Sequence, residues 1–254
     1  MRIDYAIAAM QIADLSDSEI KAAGEKIHSE LKGDYPYVVE KTMNDISVSV
    51  DSNGQASTKV TMLPTYHRVN DDRTDTISIA KNQIAFHSVN FTNLDDFVGR
   101  THKVFLRTAE ALGVNKFGRV SIRFITNFSV NESKSGFDGF NAEYYLAPAI
   151  SVSPTKGPSH FEHRARTADG SIESRILVSV LLGGFIFPEE LMDVAVDTFN
   201  TSRDRFNDFV ARIDIDSSWN RERKLFQVEA DSLLEKIQLV GAIASNTYQE
   251  IQGG

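Results

Sequence analysis

The stretch Arg119-Val120-Ser121-Ile122-Arg123-Phe124-Ile125-Thr126-Asn127-Phe128-Ser129-Val130 decides the fold class. Side chains alternate sides along a strand, so Val120, Ile122, Phe124, Thr126 and Phe128 share one face, while Arg119, Ser121, Arg123, Ile125 and Asn127 share the other. One apolar and one largely polar face suit an antiparallel sheet with water on one side. A strand inside a doubly wound parallel sheet would be apolar throughout.

The flanking segments complete the pattern. Upstream, Asn93 or Thr92 caps a helix in which Phe97, Val104, Phe105, Ala109 and Leu112 recur at three- and four-residue spacing. Asp95 and Asp96 sit near its positive end and Gly113 stops it. Two hairpins precede that helix. Ile46-Ser47-Val48-Ser49-Val50 alternates up to Asp51-Ser52-Asn53-Gly54 and returns over 57–63, which predicts an Asn-Gly turn. Ile77 and Ile79 then run into a turn at Lys81-Asn82 and alternate back through Ile84 and Phe86. A strand over 3–12 and a helix capped near Ser16 and ending by Gly33 come first in the chain.

Downstream, residues 171–182 read as a strand that turns at Gly183-Gly184, and Pro188-Glu189-Glu190 starts a helix. Phe209 to Asp216 is a second two-faced strand, with Phe209, Ala211, Ile213 and Ile215 opposite Val210, Arg212, Asp214 and Asp216. From Ser217 or Ser218 a helix is expected to run to about Gln252, with Phe226, Leu233, Ile237, Val240, Ala244 and Ile251 as its apolar stripe. About 30 helical residues would span roughly 45 Å, which points beyond a compact domain to a partner or a second copy.

The fold class expected is therefore α+β: antiparallel sheet packed against helices on one side, with a long C-terminal helix. The chain reads as one unit over 1–254, divisible into an N-terminal sheet/helix half (1–130), an irregular loop insertion (131–170) and a C-terminal strand/long-helix half (171–254). The insertion holds Gly136, Gly139, Pro148, Pro154, Gly157 and Pro158 among aromatics, as an ordered loop packed on something would.

Composition deletes several functions. The 254 residues carry 27 Lys+Arg against 35 Asp+Glu, a formal charge of −8, and no cysteine. Thiol nucleophiles, disulfide scaffolds, zinc ribbons and Fe–S sites are excluded. An acidic balance argues against a large nucleic-acid face, though arginines gather at 164–175 and 203–223. The most apolar run, Ile176–Phe187, is about half the length that spans a bilayer, so a cytoplasmic address without membrane contact is expected.

Candidate site residues come from three places. Asp214 and Asp216 project from one strand face and could share a divalent ion, or they could pair with Arg119, Arg123 or Arg212 across the sheet. The pair alone supplies too few oxygen ligands for a metal, so pairing is the expectation. His160 and His163 bracket Glu162, but zinc proteases need His at i and i+4 with Glu after the first. With Arg164 and Arg166, this segment suits docking of an acidic partner better than catalysis. Arg119, Arg123 and Asn127 complete the set. No serine-nucleophile elbow or phosphate loop is present, and no cofactor is expected.

The run Thr58 to Val130, with IAKNQIAFHSVN, LDDFVGRTHKVFLRTAEALG and RVSIRFITN in that order, together with the later FVARIDIDSSW, resembles a sporadically distributed family of uncharacterised bacterial and archaeal proteins of similar length. The resemblance covers about two thirds of the chain and fails over the opening IDYAIAAMQI and over 131–170. It implies no established activity. Its patchy distribution implies a mobile or defence-linked setting, such as a toxin–antitoxin or phage-resistance module.

The expected function is a non-catalytic protein-binding or assembly protein, oligomeric through its C-terminal helix. A metal-dependent hydrolase or nuclease using Asp214 and Asp216 is the alternative from another class. A nucleic-acid-binding accessory protein working through Arg164, Arg166, Arg203, Arg205, Arg221 and Arg223 is the third.

Overall fold

A computed structural model describes residues 1–50, 56–131, 136–137, 159–201, 205–219 and 225–252. The described elements are β1 (Tyr5–Ile12), α1 (Asp17–Leu31), β2 (Tyr37–Val50), β3 (Ala56–Val69), β4 (Asp75–Ala80), β5 (Gln83–Ser88), α2 (Leu94–Leu112), β6 (Lys116–Asn131), β7 (Gly136–Phe137), β8 (Ser159–Arg166), β9 (Ile172–Leu182), α3 (Glu189–Thr198), β10 (Phe209–Trp219), β11 (Phe226–Gln227) and α4 (Ala230–Gln252).

The strands form one antiparallel sheet in the order β2-β3-β4-β5-β1-β6-β10-β9-β8, with β7 and β11 also pairing to β6. The α+β reading holds, and both hairpins form. The first turn, at 51–55, lies outside the described residues. The second sits at Lys81-Asn82, between Ala80 and Gln83.

Local chemistry sets the helix ends. Ser16 closes a capping box with Glu19: its Oγ accepts from the Glu19 amide at 3.3 Å, and the Glu19 carboxylate accepts from the Ser16 amide at 2.7 Å. Asn93 Oδ1 accepts from the Asp96 amide at 2.9 Å and starts α2. Gly113, at φ +66°, ends it by donating to the carbonyls of Ala109 and Glu110.

One sheet face carries the main core. Met10, Ile79, Ile84, Phe86, Val120, Ile122, Phe124, Ile213 and Ile215 are buried there beneath α1, α2 and α4. The other face is not bare, which corrects the one-sided expectation. Phe187, Met192, Ala195 and Phe199, in and around α3, pack on Tyr5, Ile7 and Ile125 to make a second, smaller core. The misfit residue Ile125, an isoleucine on the polar face of β6, is its anchor.

Two further expectations change. Residues 159–166 are not irregular loop but the edge strand β8, paired to β9. The C-terminal helix does not start at Ser217 or Ser218; β10 continues to Trp219, and α4 begins at Ala230 and has 23 residues. Its length is about 35 Å. Its Leu233, Ile237, Val240, Ala244, Tyr248 and Ile251 are buried in this chain's own core. At Gly241 a Cβ would stand 2.9 Å from Leu94 Cδ1 and 3.2 Å from Ile122 Cδ1, so α4 lies close against α2 and β6. The C-terminal helix is long, as expected, but about 10 Å shorter than the sequence suggested. Among the described residues no helix is long and apolar enough to cross a membrane.

Candidate functional site

Strand register brings chemistry together on the α3 side of the sheet. Residues paired side by side there form rows perpendicular to the strands. One row runs Thr76, His87, Ile7, Arg123, Asp216, Arg175, Arg164 from β4 to β8. The next runs His67, Ser78, Ala85, Ala9, Ser121, Ser218 from β3 to β10.

Arg123 and Asp214 meet as expected. Arg123 donates from Nε to Asp214 Oδ1 at 2.7 Å and from Nη2 to Oδ2 at 2.6 Å, and its Nη2 also reaches Glu190 Oε1 on α3 at 2.6 Å. Burial alone would lower the Arg123 pKa; the bonds to Asp214 and Glu190 outweigh it and raise it. Burial works against charge on Glu190 too, but the bond from Arg123 leaves its pKa below the usual carboxylate value.

Asn127 and Arg212 form a second cluster. Arg212 Nε donates to Asn127 Oδ1 at 2.9 Å, and its Nη2 donates to the carbonyls of Phe185 and Ile186. Asn127 in turn donates its backbone amide to Asp4 at 2.8 Å. Arg212 thus fastens the loop before α3 to the sheet instead of pairing with Asp214 or Asp216.

Asp216 is different. Arg119 Nη2 approaches its Oδ2 only to 3.7 Å, and its Oδ1 is buried with no hydrogen-bond partner. Burial raises its pKa, opposed by the charges of Arg119 and Arg123 and aided by that of Asp214. The carboxylate has an unused acceptor in a place that water reaches poorly, an arrangement that costs stability.

At the other end lie groups that the sequence left scattered. Burial pushes the pKa of His67 down to about 4 and that of His87 down to about 3, so both imidazoles are neutral at pH 7. His67 Nδ1 bonds Ser78 Oγ at 2.8 Å, and His87 Nδ1 bonds the Tyr5 hydroxyl at 2.8 Å. Burial raises the Tyr5 pKa, which keeps the phenol protonated. Neither Nε2 has a partner among the described residues. Thr65, 4% exposed, also holds an unpaired Oγ1.

Between these ends the sheet is scooped out. Two hollows of about 360 and 280 Å³ share Ala9, Gln83, Ser121 and Asp216. Together they make a trough across the strands. Its floor is Ser78, Ala85, Ala9 and Ser121, one small side chain from each of four neighbouring strands, about 14 Å from first to last. Leu191 and Val194 of α3 form one wall, and Gln11 and Arg119 stand on the opposite rim.

The β8 candidates lie elsewhere. His160 pairs opposite Ser179 and His163 opposite Ile176, so three residues of strand separate them onto opposite faces. They cannot converge on one ion, and both are exposed. Arg164 and Arg166 are engaged at 3.0 and 2.9 Å by Glu162 and Glu173. Arg205 lies over the Phe185 ring at 4.2 Å, and Arg203, Arg221 and Arg223 fall outside the described residues. Among the described residues no group of three or more His, Asp or Glu is placed to hold a metal ion.

Sequence reasoning found the Arg–Asp end of the trough and missed its histidine end. His67 and His87 lie 20 residues apart, on β3 and β5 with β4 between, and only hairpin register brings them to one face. The small residues were the available signal: Ser78, Ala85, Ala9 and Ser121 occupy the non-core phase of four strands whose core phase is bulky. In comparisons with known proteins, no family model matches the chain and no curated protein matches it significantly.

Proposed function

We propose that the protein is a non-catalytic binding protein and that its partner docks in the trough between β4 and β10. One observation carries this reading: an open, preformed hollow floored by Ser78, Ala85, Ala9 and Ser121 and bounded by the polar residues Thr65, His67, His87 and Asp216. Sites that bind are concave, largely preformed and finished with a few convergent polar groups. The ion network supports binding over turnover. Asp214, the strongest acid–base candidate by position, is spent on two charge-assisted bonds to Arg123, which hold a shape instead of moving a proton. The resemblance to a sporadically distributed family is the ground for placing that partner among proteins of a defence or toxin-neutralising module.

Filling the trough tests this. Ser121→Trp places an indole on the floor without touching the core face of β6. Tagged wild-type and variant chains, both shown folded by circular dichroism, are used to capture protein from the native host. A partner held by wild type and lost by Ser121→Trp is expected. A partner held equally by both would overturn the docking site. A chemical turnover by the pure protein that Ser121→Trp abolishes would overturn the non-catalytic reading.

A further inference from the structure

The two edges of the sheet are built differently. β8 is short, eight residues, and carries His160, Glu162, His163, Arg164 and Arg166. Charge at that density keeps other strands away. β2, at the opposite edge, has 14 residues, where a strand commonly has about five or six. Its charged residues are Glu40, Lys41 and Asp45 alone, and it contains no proline. Its ladder to β3 runs from Tyr37↔Val69 to Val50↔Ala56 without a bulge. At its start Tyr37 and Val38 are 44% and 42% exposed. Short length, dense charge, proline and bulge, the usual guards of an edge strand, are all missing.

The same hairpin outruns its neighbour. β3 pairs with β4 over 66–69 only, so among the described residues the pairs from Thr42↔Pro64 to Val50↔Ala56 form a two-stranded ribbon about 30 Å long. Two strands alone are marginally stable in water, and a third strand changes that. On the β3 side a third strand would meet Pro64, which has no N–H to give, and Lys59. The β2 side offers an uninterrupted row of backbone groups.

We propose that a second copy of this chain supplies the strand, its β2 running antiparallel to this one about a two-fold axis. Outward N–H and C=O groups belong to alternate residues, so the axis passes through a residue and its copy, not between residues. An axis at Glu40, Lys41 or Asp45 would set like charges against each other. An axis at Met43 or Asn44 pairs 37–49 or 38–50 with the same residues of the copy, 13 of the 14, and opposes no like charges. About a dozen backbone hydrogen bonds then form, as many as a typical protein–protein interface carries. One symmetric contact closes both open edges, the commonest way for two identical chains to associate. The contact lies outside the trough and does not depend on docking there.

The cysteine-free chain makes the axis measurable. Met43→Cys, Asn44→Cys and Tyr37→Cys are each introduced into the full chain and oxidised with copper phenanthroline. A covalent dimer is expected from whichever of Met43→Cys and Asn44→Cys lies on the axis. None is expected from Tyr37→Cys, whose two copies would stand about 40 Å apart. Light scattering is expected to give twice the chain mass for wild type and the single chain mass for Met43→Lys/Asn44→Lys, which opposes two lysines on either axis. Circular dichroism checks that the double variant is folded.

A wild-type chain that is monomeric at micromolar concentration would overturn the pairing. A dimer that survives in the folded double variant would place the interface elsewhere and overturn it too. So would cross-linking through Tyr37→Cys and through neither axial position. If the double variant does not fold, the cysteine series decides alone.

Discussion

Arg123 and Asp214 are joined by two bonds, 2.7 Å from Nε and 2.6 Å from Nη2, across adjacent strands β6 and β10. The Asp214 side chain is 6% exposed and that of Arg123 18%. A buried pair of this kind adds little over a well-packed apolar pair, but breaking it strands a charge. Arg123→Met is therefore expected to cost about 3–5 kcal/mol, a melting-temperature drop on the order of 10 °C. The double variant Arg123→Met/Asp214→Leu is expected to recover most of it. Calorimetry of the single and double variants measures the coupling, and a double variant as unstable as the single one would contradict this account.

Asp216 runs the other way. Its pKa is raised in the fold, so the folded chain binds its proton more tightly than the unfolded chain does. Its contribution is fully present below the unfolded value and is lost as pH rises through the folded one. Asp216→Asn is expected to melt a few degrees above wild type at pH 7, with the difference shrinking at pH 3.5. A variant less stable at pH 7 would show that the carboxylate is satisfied in the free protein.

The buried imidazoles give a separate signature. His67 and His87 titrate near 4 and 3 when folded and near 6.5 when unfolded, so between those values the unfolded chain holds more protons. Stability is expected to fall as pH drops below 6.5, with a slope of up to about 1.4 kcal/mol per pH unit for each histidine. Denaturant midpoints of wild type and His87→Gln between pH 7 and 4.5 check this. The variant curve is expected to be flatter.

Gly241 marks where α4 meets α2 and β6. A branched side chain there has no room beside Leu94 and Ile122, so Gly241→Val is expected to cost about 1–3 kcal/mol by overpacking. Gly99, with open space around it, is the control site for Gly→Val.

How much of this was written in the chain depends on the range of the interaction. β6 and β10 could be read because each alternates between a core phase and a polar phase, and their faces stand as expected. Asp214 with Arg123 followed from that alternation. The trough was not readable: it requires the relative register of five strands, set by hairpins and by sheet order, which no local pattern encodes. β8 was misjudged because flanking Pro and Gly and a string of charges resemble a loop, and an exposed edge strand is charged for its own reason, to discourage pairing with other chains. The start of α4 was misplaced because Ser217 and Ser218 look like caps, while in the sheet Ser217 faces the core and bonds Ser174 at 2.7 Å.

The position of β1 has a consequence for how the chain comes off the ribosome. β1 precedes every other strand, yet it lies in the middle of the sheet, between β5 and β6. Its second partner is not complete until Asn131 has been made, more than a hundred residues after Ile12. At about 5–20 residues per second that is a wait of roughly 6–24 s, during which an apolar strand has at least one open edge. Such long-range pairing folds slowly. During synthesis the N-terminal third is expected to depend on a chaperone, and nascent chains stalled before residue 116 are expected to be protease-sensitive throughout.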